Sequence, residues 1–223
     1  MKGGYNLNKE INIPVSDVEV VGILNVPADA RGIVLFVSDD HGDRFGQRNV
    51  MVRELKNVGL ATLLLDLFTP AEEINLANIF AVDLLAKRLR EVTKWIRHNP
   101  ELGNLAVGYF GANVGAGVAL RATALEEEIG AVVLHSGRPD LVLEYLPKVS
   151  VPTLLIVGGN DQEALELNKI AFEKLGGIKR METVLGATHF FEEPGTMEQA
   201  EKLACDWFTK YLVSLAWLGG VLK

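Results

Sequence analysis

A sharp turn between a strand and a helix is the most constraining feature of this sequence, and it lies in residues 105–120. The run 105–110 is continuously apolar, the chain breaks at Gly111, and an alanine-rich helical pattern resumes after Gly115. Glycines two residues before and two after a central residue are typical of the nucleophile elbow, G-x-S-x-G, which holds a serine above a parallel sheet. Glycine is needed there because the two backbones approach too closely for a side chain. The central residue, where the motif has serine, is Asn113.

Short apolar runs alternate with amphipathic helical patterns along the rest of the chain. This alternation predicts an α/β fold with a mainly parallel central sheet and helices on both faces. No linker or repeat divides the sequence, so we predict one domain over residues 1–223, of which residues 1–10 are flexible. We also predict that Thr196 caps the last helix. The predicted strands are 10–15, 18–26, 33–37, 61–65, 105–110, 131–134, 151–157 and 181–185, and the main predicted helices are 52–58, 82–96, 162–175 and 196–212.

Charge and composition exclude several classes of partner. The net charge of −7 argues against nucleic acid and against an anionic membrane as partners. No apolar stretch approaches the length of a membrane span, and the N-terminus has no apolar signal-peptide core, so we predict a cytoplasmic protein. The single cysteine, Cys205, rules out an intramolecular disulfide framework and lies in an apolar helical pattern that predicts burial.

Two residues that follow predicted strands stand out as candidate catalytic groups. Ligands of open α/β sheets bind beyond the carboxyl ends of the strands. Asp161 follows the strand 151–157, and His189 follows the last strand. Nucleophile, then acid, then histidine is the chain order of the α/β-hydrolase triad, in which the acid orients the imidazole so that it can act as a base. Asn113, Asp161 and His189 occur in that order.

Four strings of residues resemble the dienelactone-hydrolase family of the α/β-hydrolase superfamily. They are GLATLLLD at 59–66, VGYFGA at 107–112, PTLLIVGG at 152–159 and GATHFFEEPG at 186–195, within a similarity that covers roughly residues 11–212. The resemblance implies an α/β-hydrolase fold without a large lid domain, which the short segment 136–150 agrees with. It also implies an ester- or lactone-like small-molecule ligand, no cofactor and no metal, and it places the triad acid on Asp161 and the histidine on His189.

Two departures from the family pattern weaken the expectation of ester hydrolysis. The nucleophile position is Asn113, and a carboxamide is not a useful nucleophile. Relatives carry His-Gly and small residues after the first buried strand, whereas this chain has Ser38-Asp39-Asp40. The backbone N–H groups of Asp39 and Val114 are the candidate oxyanion-hole donors, but the carboxylates of Asp39 and Asp40 would oppose a developing negative charge. We therefore expect serine-type hydrolysis to be lost or strongly impaired.

Two alternative functions stay open from the sequence. In the first, His189 oriented by Asp161 acts as a general base in a residual or altered hydrolase or lyase reaction, with Asn113 as a hydrogen-bond donor to the substrate. In the second, the chain is a module that binds a small ligand or a metal, although the spacings match no tight metal motif. Arginines near the site could receive a carboxylate substrate, or they could simply pair with the neighbouring aspartates. The substrate-pocket candidates are Asp40, His41, Arg44, Arg48 and His135.

The C-terminal tail is apolar beyond the end of the family resemblance. Residues 213–223 include Trp217 and Leu218, which would form an unfavourable exposed patch if nothing covered them. We expect the tail either to extend the last helix over the core or to form a homodimer interface.

Overall fold

An open sheet of eight strands forms the centre of the computed structural model, which describes residues 9–16, 18–37, 48–69, 72, 81–125 and 128–213. The strand order is β1-β2-β4-β3-β5-β6-β7-β8. The strands are β1 (Lys9–Val15), β2 (Val18–Asn25), β3 (Gly32–Val37), β4 (Leu60–Asp66), β5 (Ala106–Ala112), β6 (Ile129–His135), β7 (Thr153–Gly158) and β8 (Lys179–Val184). β1 and β2 form the antiparallel hairpin, and β2 joins β4 antiparallel, while β3 to β8 are mutually parallel.

Five α-helices of the described residues cover the two faces of the sheet. They are α1 (Arg48–Asn57), α2 (Val82–His98), α3 (Val114–Thr123), α4 (Gln162–Lys174) and α5 (Thr196–Phe208), the last of which continues as a π-helical turn, Thr209–Val213. One core cluster packs α2 and α3 against the sheet, and a second packs α1 and α5 against the opposite face. Strands β3 and β7 are buried along their whole length, as expected for strands covered on both faces. The predicted α/β class and mainly parallel sheet are confirmed.

The strand order reverses direction at β3, and this reversal locates the site. From β3 the chain proceeds to β4 on one side and later returns to β5 on the other side. In open α/β sheets, ligands bind beyond the carboxyl ends of the strands at the point where the strand order reverses in this way. The strand-to-helix turn after β5 therefore lies at the switch point of this sheet.

Some predicted boundaries were wrong. The last helix has Gly195 at its N-cap with φ of 80°, whereas Thr196 is the first helical residue and its hydroxyl donates to the Glu193 carbonyl. The last strand ends at Val184, and Leu185, predicted to be within it, is 84% exposed. Segment 136–150 contains two short 3₁₀ helices, Pro139–Val142 and Leu146–Lys148, and no large lid.

Several predictions lie outside the described residues. These include most of residues 1–10, predicted to be flexible, and the tail 213–223 with its predicted role as a helix extension or a dimer interface, apart from Val213 in the π-helical turn. Cys205 is buried as predicted, and burial raises the pKa of its thiol to about 12. Among the helices that the structure describes, we found none with both the length and the apolar character needed to cross a membrane.

Candidate active site

The turn that carries Asn113 brings β5 and α3 into very close contact. β5 ends at Ala112, Asn113 follows with φ of 50° and ψ of −123°, and α3 begins at Val114. A β-carbon at Gly111 would lie 2.6 Å from the Gly115 carbonyl oxygen and 2.7 Å from the α-carbon of Ala116. These distances are shorter than non-bonded atoms tolerate. The glycine at position 111 is therefore required by the turn, for the reason that the sequence indicated.

The unusual backbone of Asn113 is held by its neighbours. A positive φ is uncommon for a residue other than glycine, although asparagine tolerates it better than most. The carbonyl of Asn113 accepts hydrogen bonds from the backbone N–H of Arg138, at 2.9 Å, and of Ala116, at 3.2 Å. Strain of this kind persists only where the surrounding structure fixes the conformation. The side chain is thereby projected above the carboxyl end of β5.

Asp161 uses its two carboxylate oxygens for two different partners. Oδ1 accepts the backbone N–H of Ala164 at 3.0 Å and so caps α4, and Oδ2 lies 2.6 Å from Nδ1 of His189. The second distance is short, as hydrogen bonds to an ionised carboxylate are. Because the helix cap fixes the carboxylate, the carboxylate in turn fixes the tautomer and the plane of the imidazole.

The imidazole of His189 lies between Asp161 and Asn113. Its Nε2 is 3.0 Å from Oδ1 of Asn113. A carboxamide can offer its oxygen to an imidazolium N–H or its NH₂ group to a neutral imidazole. Asn113 can therefore satisfy Nε2 in either protonation state. The His189 side chain is 36% exposed, so solvent reaches the ring, whereas Asp161 is only 14% exposed.

The loop that carries His189 is packed tightly against the end of β7. A β-carbon at Gly158 would lie 2.5 Å from the carbonyl oxygen of Thr188. Asn160 fixes the same loop through its side-chain amide, which donates to the Gly186 carbonyl at 2.9 Å. The Thr188 backbone N–H donates to the Glu193 carboxylate, and this hydrogen bond lowers the pKa of Glu193. These contacts hold the imidazole at a defined position.

Aromatic residues next to His189 were not singled out by the sequence. Phe190 is 63% exposed, and its ring meets the His189 ring edge-on with centroids 4.9 Å apart. Phe191 is buried with φ of 55°. The only signal in the sequence was the pair of phenylalanines directly after the histidine. Phe190 therefore leaves an apolar ring exposed to solvent beside the imidazole.

The remaining predicted site residues have different placements. His135 ends β6, and its ring packs 4.4 Å from the ring of Phe191 and stacks at 6.2 Å on Phe110, so it lies in an aromatic layer. Val114 is buried as the first residue of α3. Arg48 begins α1, but its side chain lies outside the described residues, as do Asp39, Asp40, His41 and Arg44 entirely. Within the described part of the chain, no group of three or more His, Cys, Asp or Glu side chains could hold a metal ion.

Comparisons with known proteins give two kinds of relative. Two curated proteins of Mycobacterium tuberculosis, each described as a putative phosphoribosyl transferase, are 50% identical to this chain over 207 residues. The match covers 92% of this chain but 47% of each relative, so the chain spans just under half of their length. No family model matches the sequence.

The solved structures share the fold over most of their length. A dienelactone hydrolase from Anabaena variabilis is 42% identical with a TM-score of 0.85, and the match covers 92% of this chain and 98% of that one. Est1E from Butyrivibrio proteoclasticus, solved with ferulic acid bound, has a TM-score of 0.77 at 13% identity, covering 91% and 99% of the two chains. At that identity, the second likeness supports the fold alone.

Proposed function

The chain belongs to the dienelactone-hydrolase family, and on that premise we propose that it binds an ester- or lactone-like small molecule at a nucleophile elbow whose serine-type hydrolysis is disabled. Asn113 occupies the nucleophile position, with Asp161 and His189 as the acid and the base. The 42% identity to the Anabaena variabilis dienelactone hydrolase, over nearly all of both chains, supports the scaffold. The identity of residue 113 supports the loss of the reaction.

One observation carries this proposal: Nε2 of His189 lies 3.0 Å from the carboxamide oxygen of Asn113. In a working triad this nitrogen takes a proton from the nucleophilic hydroxyl and later returns it to the leaving group. A carboxamide has no such proton and forms no acyl intermediate. The base and its orienting acid are therefore aligned on a residue that cannot start the reaction.

The expected loss of rate is large. Removing the serine of a triad costs roughly 10⁶ in kcat, and the residual catalysis over water comes from binding and the oxyanion hole. The proposed oxyanion donors are the backbone N–H groups of Asp39 and Val114. The carboxylates of Asp39 and Asp40 would lower the remaining rate further, because they oppose the charge of the tetrahedral intermediate.

Restoring the hydroxyl tests the proposal. We expect the unchanged protein to hydrolyse a short p-nitrophenyl ester no faster than Asn113→Ala, and Asn113→Ser to hydrolyse it at a clearly higher rate. The double variant Asn113→Ser/His189→Ala should lose that gain. Ester hydrolysis by the unchanged protein that already depends on His189 would overturn the proposal. Ordinary esterase turnover in Asn113→Ser would show that the loop with Asp39 and Asp40 does not impair the site.

A second candidate is general-base catalysis by the Asp161–His189 dyad. It is favoured by the 2.6 Å hydrogen bond between the two side chains and by the solvent exposure of the imidazole. General-base catalysis alone contributes ~10²–10⁴ in rate. If His189 activates water, then Asn113→Ala should raise the rate, since nothing would occupy Nε2, and His189→Ala should abolish it.

We do not extend the transferase name of the Mycobacterium tuberculosis relatives to this chain. About half of each relative lies outside the match. The contacts of Asn113, Asp161 and His189 correspond to the geometry of acyl-transfer hydrolases. We propose that this chain corresponds to a hydrolase-like half of those longer proteins.

A further inference from the structure

We propose that the outer edge of β8 is an interaction surface, on which β8 of a second copy of this chain pairs antiparallel across a two-fold axis. β8 is the last strand in the order of the sheet, and within the described part of the chain no strand lies on its outer side. An edge with unpaired N–H and C=O groups is a template for another strand. The other edge strand, β1, contains Pro14, which has no N–H to donate, whereas β8 contains no proline. This surface does not depend on the function proposed above.

The hydrogen bonds to β7 show which backbone groups of β8 point outward. The Ile178 carbonyl accepts the backbone N–H of Thr153 at 2.9 Å. The Val184 carbonyl accepts the backbone N–H of Gly159 at 2.8 Å. The register between the two strands runs without a shift, and alternate residues of a strand direct their N–H and C=O groups to the same side. The even-numbered residues therefore face β7. The residues of β8 whose backbone groups point away from β7 are Lys179, Met181 and Thr183.

One register pairs both the outward backbone groups and the charges. With Met181 on the two-fold axis, it exchanges two backbone hydrogen bonds with Met181 of the second copy, and Lys179 pairs in the same way with Thr183. The pair between them is Arg180 opposite Glu182, in a non-hydrogen-bonded position, where side chains of neighbouring strands lie closest. Sliding the strands by two residues in either direction places Arg180 opposite Arg180 or Glu182 opposite Glu182, which is repulsive. The charges of β8 thus favour the register centred on Met181.

The cations on β8 do not block this pairing. Charged side chains, lysine above all, commonly prevent the addition of a strand to an edge. The Lys179 ammonium, however, donates to the carbonyls of Glu173 and Leu175 at the C-terminal end of α4, at 3.2 and 2.9 Å. Arg180 forms an ion pair with Glu182 of its own strand. Two such pairs facing each other across the axis form a network in which every charge has an opposite neighbour.

Exposed apolar side chains lie at both ends of β8. Ile178 precedes the strand and is 56% exposed, and Leu185 follows it and is 84% exposed. In the register centred on Met181, Ile178 lies opposite Val184 of the second copy. Leu185 lies opposite Gly177 of the second copy. Removal of this apolar surface from water favours the dimer. Because a single strand pair buries less area than a standard interface, we expect a weak dimer that depends on concentration.

The test is sedimentation velocity of the full chain over a series of concentrations, where we expect a monomer–dimer equilibrium. Arg180→Glu or Glu182→Arg alone should weaken dimerisation at least ~10-fold, because both cross-strand pairs become repulsive. An equimolar mixture of the two variants should dimerise again, since each cross-strand pair then joins opposite charges. Arg53→Glu is the matched control, because the Arg53 side chain is 67% exposed on α1, close to the 62% of Arg180. It should leave the equilibrium unchanged.

Each outcome supports or overturns the pairing of β8. Recovery of the dimer in the mixture supports it and also shows that both variants are folded. A chain that stays monomeric at its highest soluble concentration would overturn it. A dimer that survives both charge reversals, as expected for an interface through the tail 213–223, would also overturn it. The same holds for a mixture that stays monomeric although both variants unfold at the temperature of the unchanged protein. None of these results affects the ester assay of Asn113→Ser.

Discussion

Gly158 and Thr188 lie so close together that a β-carbon at position 158 would be 2.5 Å from the Thr188 carbonyl oxygen. The end of β7 therefore sets the position of the loop that contains Thr188 and His189. Only a residue without a side chain allows this approach, so the geometry of the imidazole depends on a glycine that has no chemical role.

Gly158→Ala should displace the His189 loop. A misplacement of about 1 Å can cost roughly 10²-fold in rate. We expect that loss in the Asn113→Ser background, measured as ester hydrolysis. Gly130→Ala is the control, because Gly130 lies at the start of β6, at the opposite end of the sheet, and its β-carbon would come closest to the side chain of Leu212, at 2.8 Å; it should change the rate much less. Equal losses in both variants would contradict this account of Gly158.

Asp161→Asn should separate the two tasks of this side chain. Asparagine is as good an N-cap as aspartate, so the stability should change little. It cannot hold the imidazole in the same tautomer, however, and we expect hydrolysis by Asn113→Ser to fall by roughly 10⁴. Asp161→Ala should in addition lower the free energy of unfolding by about 1 kcal/mol through loss of the cap on α4. Urea unfolding and ester hydrolysis, measured on both variants, check the two effects.

Glu201→Gln should remove a pH dependence of stability. Burial raises the pKa of Glu201 from 4.5 to about 7, and Glu198 and Glu54 add to the rise, against the Met51 backbone hydrogen bond and Arg53. The native state thus binds more protons than the unfolded state between these values, and stability falls as the pH rises through this window. Because Glu201→Gln removes the titrating group, it should raise the free energy of unfolding above pH 7 by an amount on the order of 1–3 kcal/mol.

Thermal unfolding across the pH range measures this effect. The exposed neighbour Glu198 provides the control, since Glu198→Gln should leave most of the pH dependence in place. A profile that is the same for the unchanged protein and for Glu201→Gln would show that Glu201 titrates normally.

Glu72→Gln should destabilise the protein by leaving a buried cation without its partner. Arg88 is 6% exposed and donates to both carboxylate oxygens of Glu72, at 2.7 and 2.8 Å. Loss of one member of such a pair costs roughly 2–4 kcal/mol, whereas the double variant Glu72→Gln/Arg88→Met should recover part of it. Urea unfolding near neutral pH measures both changes.

The same pair should contribute to acid sensitivity. The hydrogen bond from Arg88 lowers the pKa of Glu72 from 4.5 to about 2. The stabilisation is therefore complete above pH 4.5 and is lost as the pH falls toward 2. Glu72→Gln should show a weaker loss of stability in this range than the unchanged protein, and an identical loss would rule out the contribution.

Local patterns in the sequence were sufficient for the fold and for the order of the site residues. Gly111 indicated the turn because a glycine there has a steric cause, and Asp161 and His189 were found because both follow strands. The hydrogen bond between His189 and Asn113 could not be predicted, because it depends on how β5, β7 and the loop after β8 meet in space. Residue spacing contains no such distance.

The errors have similar physical causes. Thr196 is a good capping residue by type, but the chain places Gly195 at that point in a left-handed conformation and turns the threonine hydroxyl toward Glu193. Leu185 extended an apolar run, yet it is exposed because β8 ends one residue earlier, at Val184. Hydrophobicity predicts burial on average, and a single apolar side chain just past the end of a strand can still be exposed.

Because the carboxylate of Asp161 both caps α4 and orients His189, fraying of the helix N-terminus is coupled to the alignment of the imidazole. When the first turn of α4 frays, the bond from Ala164 and the orientation of His189 are released in one event. The amide of Ala164 can then serve as a backbone reporter of the imidazole, and its hydrogen-exchange rate should follow the population of the misaligned site. A ligand that needs an ordered His189 should slow that exchange without touching α4.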